Sequence, residues 1–91
     1  MIDAASALTT ILTKTKKLTV DTGLELLTYK RDRGLRIWYN GKDMYTIKEF
    51  GFEYNVIETN FNDLKKLIKT LLKREFPRSK KIRVREIQGW D

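Results

Sequence analysis

The segment RSKKIRVR, residues 78 to 85, carries the side chains best suited to binding chemistry in this chain. Lys81, Arg83 and Arg85 alternate with Ile82 and Val84. On a strand the three cations project from one face, ~6.5–7 Å apart, an interval that resembles the spacing of phosphates along a nucleic-acid strand. Arg78 and Lys80 extend the run. A second set lies on the arms of WYNGKDMY and just before it: Arg36, Trp38 and Tyr45, one guanidinium with two rings. Such a combination neutralises phosphates and stacks bases at once. The candidate nucleic-acid-binding residues are therefore Arg36, Trp38, Tyr45, Arg78, Lys80, Lys81, Arg83 and Arg85.

Other chemistries find little support. The chain has no cysteine and no histidine, so it lacks disulfides, thiolates, the usual general base near neutral pH and the commonest metal ligands. Neither Ser6 nor Ser79 has a histidine to activate it, and no GxxxxGK[ST] or GxGxxG loop is present. Glu49 and Glu53, converging across a turn at Gly51, are the nearest thing to an acidic pair. We expect no enzyme, no bound metal and no cofactor.

Net charge is +7, unevenly spread. Residues 1–60 hold nine basic and eight acidic residues, and residues 61–91 hold ten and four. Few amides, no cysteine and abundant Lys and Ile/Leu match a thermophilic composition, yet that bias raises Glu alongside Lys and leaves the surplus unexplained. A basic segment inside a folded domain points to a polyanionic partner. No apolar run approaches the ~18–20 residues that span a membrane, and MIDAASALTTIL lacks the basic start and apolar block of a signal peptide. An intracellular, cytoplasmic protein is the expectation.

Residues 3–17 read as a helix capped by Asp3, with Ala4, Leu8, Ile11, Leu12 and Thr15 on one face. Strands follow at Leu24–Arg31, at LRIWYN and DMYTIKEF, and more briefly at GFEYNVIET. Asn40-Gly41 is the favoured pair for a two-residue type I′ turn. That turn puts Leu35, Ile37, Tyr39, Lys42, Met44 and Thr46 on a core face, and Arg36, Trp38, Asp43, Tyr45 and Ile47 on the other. In the alternative, Trp38 is the core ring with Arg36 snorkelling past it, and a longer turn reverses the faces. A second helix starts at the cap Asn60; Phe61, Leu64, Leu67, Ile68, Leu71 and Leu72 form its apolar face, and Pro77 stops it. A last strand, KIRVREI, precedes a loose tail at 88–91.

Closely spaced strands pair as an antiparallel meander, and two amphipathic helices must hide their stripes on one sheet face. The expected fold is α+β: a single domain over residues 1–91, a two-layer sandwich with a sheet of four or five antiparallel strands, ordered α-β-β-β-(β)-α-β. If Ile82 and Val84 turn inward, Arg83 and Arg85 share the open face with Arg36 and Trp38. The lysines at 65, 66, 69 and 73, with Arg74, read as a solvated helix face, and Lys30, Arg31 and Arg33 as a supporting loop tip.

The helix, three strands, helix order over residues 3–76 resembles double-stranded-RNA-binding domains in topology, although their GPxH loop is absent and DLKKLIK only echoes their helix lysines. GKDMYTIKEF is similar to a strand of single-strand-binding coactivators. We expect a small nucleic-acid-binding protein of low sequence specificity, for DNA or RNA. The rival reading is a non-catalytic interaction module that forms a homodimer by burying Trp38, Tyr45 and Ile47 of the open face.

Overall fold

The computed structural model describes residues 2–3, 6–28, 30–51, 53–76 and 80–88. Strand β1 (Ile2–Asp3) leads into helix α1 (Ala7–Lys16), then β2 (Thr22–Leu27), β3 (Gly34–Gly41), β4 (Met44–Phe50) and β5 (Asn55–Asn60). Helix α2 (Phe61–Glu75) and strand β6 (Lys81–Gln88) follow. The sheet order is β1-β6-β2-β3-β4-β5, and every neighbouring pair is antiparallel. Four strands run as a meander between the helices, and β6 returns to the free side of β2. This is the α+β sandwich expected, extended by a two-residue strand. It departs from the double-stranded-RNA-binding order by the strand β5 and by β6 beside β2.

The second helix forms where its sequence places it. Asn60 leaves the strand in extended conformation and its side chain accepts from the Asp63 amide at 2.9 Å, a standard N-cap. Leu64, Ile68 and Leu71 are fully buried against the sheet. The first helix is shorter than its pattern. It begins at Ala7 rather than Asp3, because Ile2 and Asp3 extend the sheet beside β6, opposite Ile82 and Lys81. Its buried row becomes Ala7, Ile11 and Thr15, and the Thr15 hydroxyl is satisfied by donating to the Ile11 carbonyl at 2.7 Å. Both helices share one core with Leu26, Leu35, Ile37, Tyr45, Ile47 and Ile82 of the sheet.

The β3–β4 hairpin differs from expectation in register. The turn residues are Lys42 and Asp43, both at positive φ (54° and 63°), with Gly41 at 88° and a bulge at Asn40. Ile37 therefore faces Ile47, Trp38 faces Thr46 and Tyr39 faces Tyr45. Tyr45 and Ile47 turn toward the helices instead of the open face, while Met44, Thr46 and Lys48 turn away from them. Burial decides the matter. The Asn40-Gly41 turn puts Thr46 and Lys48 in the core, and a buried, unpaired ammonium is far costlier than two non-glycine residues in the left-handed region, at roughly 1–2 kcal/mol each.

That strain is removable. Replacing Lys42→Asn and Asp43→Gly supplies the residues this turn prefers, and urea unfolding should show a gain of about 1 kcal/mol. An unchanged or lowered midpoint would place the turn elsewhere.

Candidate nucleic-acid interface

Strand pairing sets three charged residues side by side on the face away from the helices. Glu25 of β2 lies directly between Arg36 of β3 and Arg85 of β6. Arg36 Nε donates to Glu25 Oε2 at 2.8 Å and Arg85 Nε donates to Glu25 Oε1 at 2.6 Å. Glu25 itself is 3% exposed. Burial alone would raise its pKa, but the hydrogen bonds and charges of Arg85 and Arg36 outweigh that and hold the carboxyl below its ordinary value. One carboxylate thus fixes two guanidiniums. Arg36 also lies over the Phe50 ring, 5.5 Å from its centroid. Arg85 uses its Nε on Glu25 while its side chain stays 68% exposed, which leaves the terminal amino groups for a further acceptor.

Two residue pairs along the strands, and so on the same face, Arg83 faces Leu27. Arg31, at positive φ in the β2–β3 loop with its backbone N–H donating to the Thr28 carbonyl at 2.9 Å, lines the same place. A hollow of 360 Å³ results, lined by Glu25, Leu27, Arg31, Arg83, Val84 and Arg85. Three arginines thus line one space beside Leu27 and the Glu25 carboxylate, and a phosphate group matches that cationic excess.

The remaining candidates are placed differently. Lys81 is exposed and pairs with Asp3 of β1, and Lys80 is exposed just before β6. Arg78 lies outside the described residues. Trp38 is on the face expected for it but is only 2% exposed. Its ring occupies the space Gly23 leaves: a Cβ at Gly23 would come within 2.8 Å of Trp38 Cδ1. An incoming base cannot stack there without displacing the ring. Tyr45 is buried on the helix side, its ring tilted against Tyr39 (5.1 Å) and Phe61 (5.9 Å). Burial, then the charges of Tyr39 and Asp43, push its hydroxyl pKa up. The expected aromatic platform does not form on the open face.

Sequence reasoning missed Glu25 as the centre of this face and Lys48 as the exposed cation beside Arg36. A signal existed for the first: Glu25 stands inside LELL, where a strand charge between leucines needs a cross-strand partner.

Glu49 and Glu53 meet through different chemistry than a catalytic pair. Glu49 is buried on the helix side of β4, and Arg74 of α2 grips both its oxygens at 2.7 Å. Asn55 bridges it to Glu53, donating at 2.9 and 3.4 Å. The Arg74 hydrogen bonds, against desolvation and aided by Asn55 and Glu75, hold Glu49 down to about 2. No three acidic side chains converge to hold a metal ion among the described residues, and none of the described helices is long and apolar enough to cross a membrane. Comparison with protein-family models, characterised proteins and solved structures finds no match to this chain.

The Glu49–Arg74 pair makes an acid-side prediction. Folded Glu49 titrates below its ordinary 4.5, so its stabilisation is complete above that pH and fades as pH falls through about 2. Arg74→Met leaves a buried carboxylate unpaired, and should lower stability at pH 7 by about 3 kcal/mol. In denaturant melts the gap from wild type should narrow steadily as pH drops below 4.5. A gap independent of pH would mean packing, not charge, is what Arg74 supplies.

Proposed function

We propose that this chain binds nucleic acid with little sequence preference, gripping phosphates on the sheet face opposite its helices. The observation that carries the reading is the arginine hollow beside β6, where Arg31, Arg83 and Arg85 surround one space and buried Glu25 holds Arg85 and Arg36 in place. Such an arrangement limits the side-chain entropy lost when a phosphate docks. Affinity comes from neutralised phosphates and released counterions, which no base sequence alters. Lys48 and Lys81 flank the cluster on the same face. Stacking is not part of the proposal, since Trp38 and Tyr45 are covered.

The interaction-module reading loses its surface to the same facts. Trp38, Tyr45 and Ile47 are buried. Of the exposed large apolar residues, the two that lie within described strands, Val56 and Met44, stand opposite Lys48 and Asn60, four residues and ~13 Å apart along the strands. They do not make a contiguous patch.

Anisotropy of labelled single- and double-stranded oligonucleotides tests the proposal. Engaging four phosphates predicts a salt slope near −3.6, so affinity should fall roughly a hundredfold between ~50 and ~200 mM salt. Arg31→Ala with Arg83→Ala, which leaves the Glu25 bonds in place, should weaken binding by about tenfold or more. Absence of saturable binding to either form at ~50 mM salt would sink the reading.

A further inference from the structure

The helix layer carries a second basic surface that the sheet face does not explain. Lys14 and Lys16 of α1, Lys17 at its C-cap, and Lys65, Lys66, Lys69 and Lys73 of α2 are all exposed. Helix α1 contains no acidic residue, and Asp63 is the exposed acid of α2. None of the seven lysines enters an ion pair among the described residues, whereas Arg36, Arg74, Lys81 and Arg85 all do. An ordinary solvated helix interleaves both signs, so that neighbours at i and i+4 attract. Lys65, Lys69 and Lys73 occupy that spacing with like charge and repel. Lys16 and Lys65 flank a groove of 320 Å³ between the helices, and Lys16 is pinned 5.2 Å from the centroid of the Phe61 ring.

We infer that this lysine face is a second nucleic-acid contact, and that the protein bridges two segments rather than coating one. The inference rests on the phosphate-binding reading of the sheet face. Three arguments carry it. The two surfaces lie on opposite sides of a molecule whose Cα atoms span 34 × 23 × 21 Å, well beyond a screening length of ~8 Å at physiological salt, so each attracts phosphates independently. One short duplex can reach both sides only by bending around the protein, which DNA resists over 20–30 base pairs, so a separate segment is the easier occupant. Finally, the exposed large apolar residues Val20, Met44, Tyr54 and Val56 all lie outside the helices. Among the described residues this face therefore offers no exposed large apolar anchor with which to enter a bilayer.

Two 20-base-pair duplexes, one carrying a donor dye and the other an acceptor, test this with the intact protein. At substoichiometric protein, wild type should bring the dyes together and produce energy transfer. A Lys16→Gln, Lys65→Gln, Lys69→Gln variant, checked for fold by circular dichroism, should hold a single duplex within about threefold of wild-type affinity yet lose at least fivefold of the transfer. Transfer undiminished in that variant overturns the inference. So does saturable duplex binding by wild type with no transfer, which leaves the sheet-face reading standing. Lysine-dependent capture on phosphatidylserine vesicles without duplex bridging overturns it too, and assigns the surface to lipid. Failure to bind any duplex overturns the inference as well, and it removes the sheet-face reading itself only where single strands also fail to bind.

Discussion

The turn at Lys42 and Asp43 is the constraint on which the rest of the sheet depends. In an antiparallel sheet the side-chain period is two, so a shift of one residue moves a whole strand's side chains to the other face. With the turn where it is, Ile47 faces Ile37 and then Ile57, and an aliphatic row crosses three strands beneath α2. Tyr45 joins Phe61 at the start of that helix. Lys48 moves to solvent beside Arg36. The pairings of β2 with β3 and with β6, which the turn does not touch, put Arg36, Glu25 and Arg85 in one line. The hairpin strain is thus offset by apolar burial on the helix side and by the release of Lys48 to solvent on the other.

Two buried carboxylates divide the arginines between structure and surface. Glu49 faces the helices, and Arg74 binds it through two nitrogens, with Asn55 completing the shell. That guanidinium is consumed by the fold. Glu25 faces outward, and each of its oxygens takes one Nε from a different strand. A carboxylate shared by two arginines leaves a net positive charge on the row and a fixed geometry. On the proposed reading Glu25 is therefore a positioning residue: it touches no phosphate, yet it limits the rotamers from which Arg85 meets one.

The elements were legible because local signals agreed with the tertiary demand. The Asn60 cap, the Leu64–Leu72 stripe and the Ile82/Val84 alternation each have one low-energy reading, and each is what forms. The hairpin was misread because Asn-Gly is a strong local preference that lost to the cost of burying Lys48, a quantity that depends on β4 as a whole. Asp3 misled in a similar way. As a cap it satisfies one amide, whereas in β1 it adds backbone pairing and an ion pair with Lys81. For the candidate site, the alternation of β6 gave the arginines their face. For Trp38 the pattern left exposure and burial both open, and the ring is buried because it fills the gap above Gly23, a pairing no one-dimensional pattern shows.

The two basic surfaces differ in kind, and the difference follows from residue type. The sheet face uses arginine, whose planar fork keeps its orientation when one nitrogen is held by a carboxylate. Its charge is partly neutralised by Asp3, Glu25 and Glu58, so what it offers is geometry more than field. The helix face uses lysine, strongly hydrated point charges on flexible stems, outnumbering the exposed acids near it, Asp63 on α2 and Glu86 beside Lys14 and Lys17. It offers field more than geometry. A surface of the first kind holds phosphates in register, while one of the second kind attracts a polyanion from further away and tolerates its sliding. Carrying one on each side of a thin two-layer sandwich therefore gives a small chain one firm grip and one loose one.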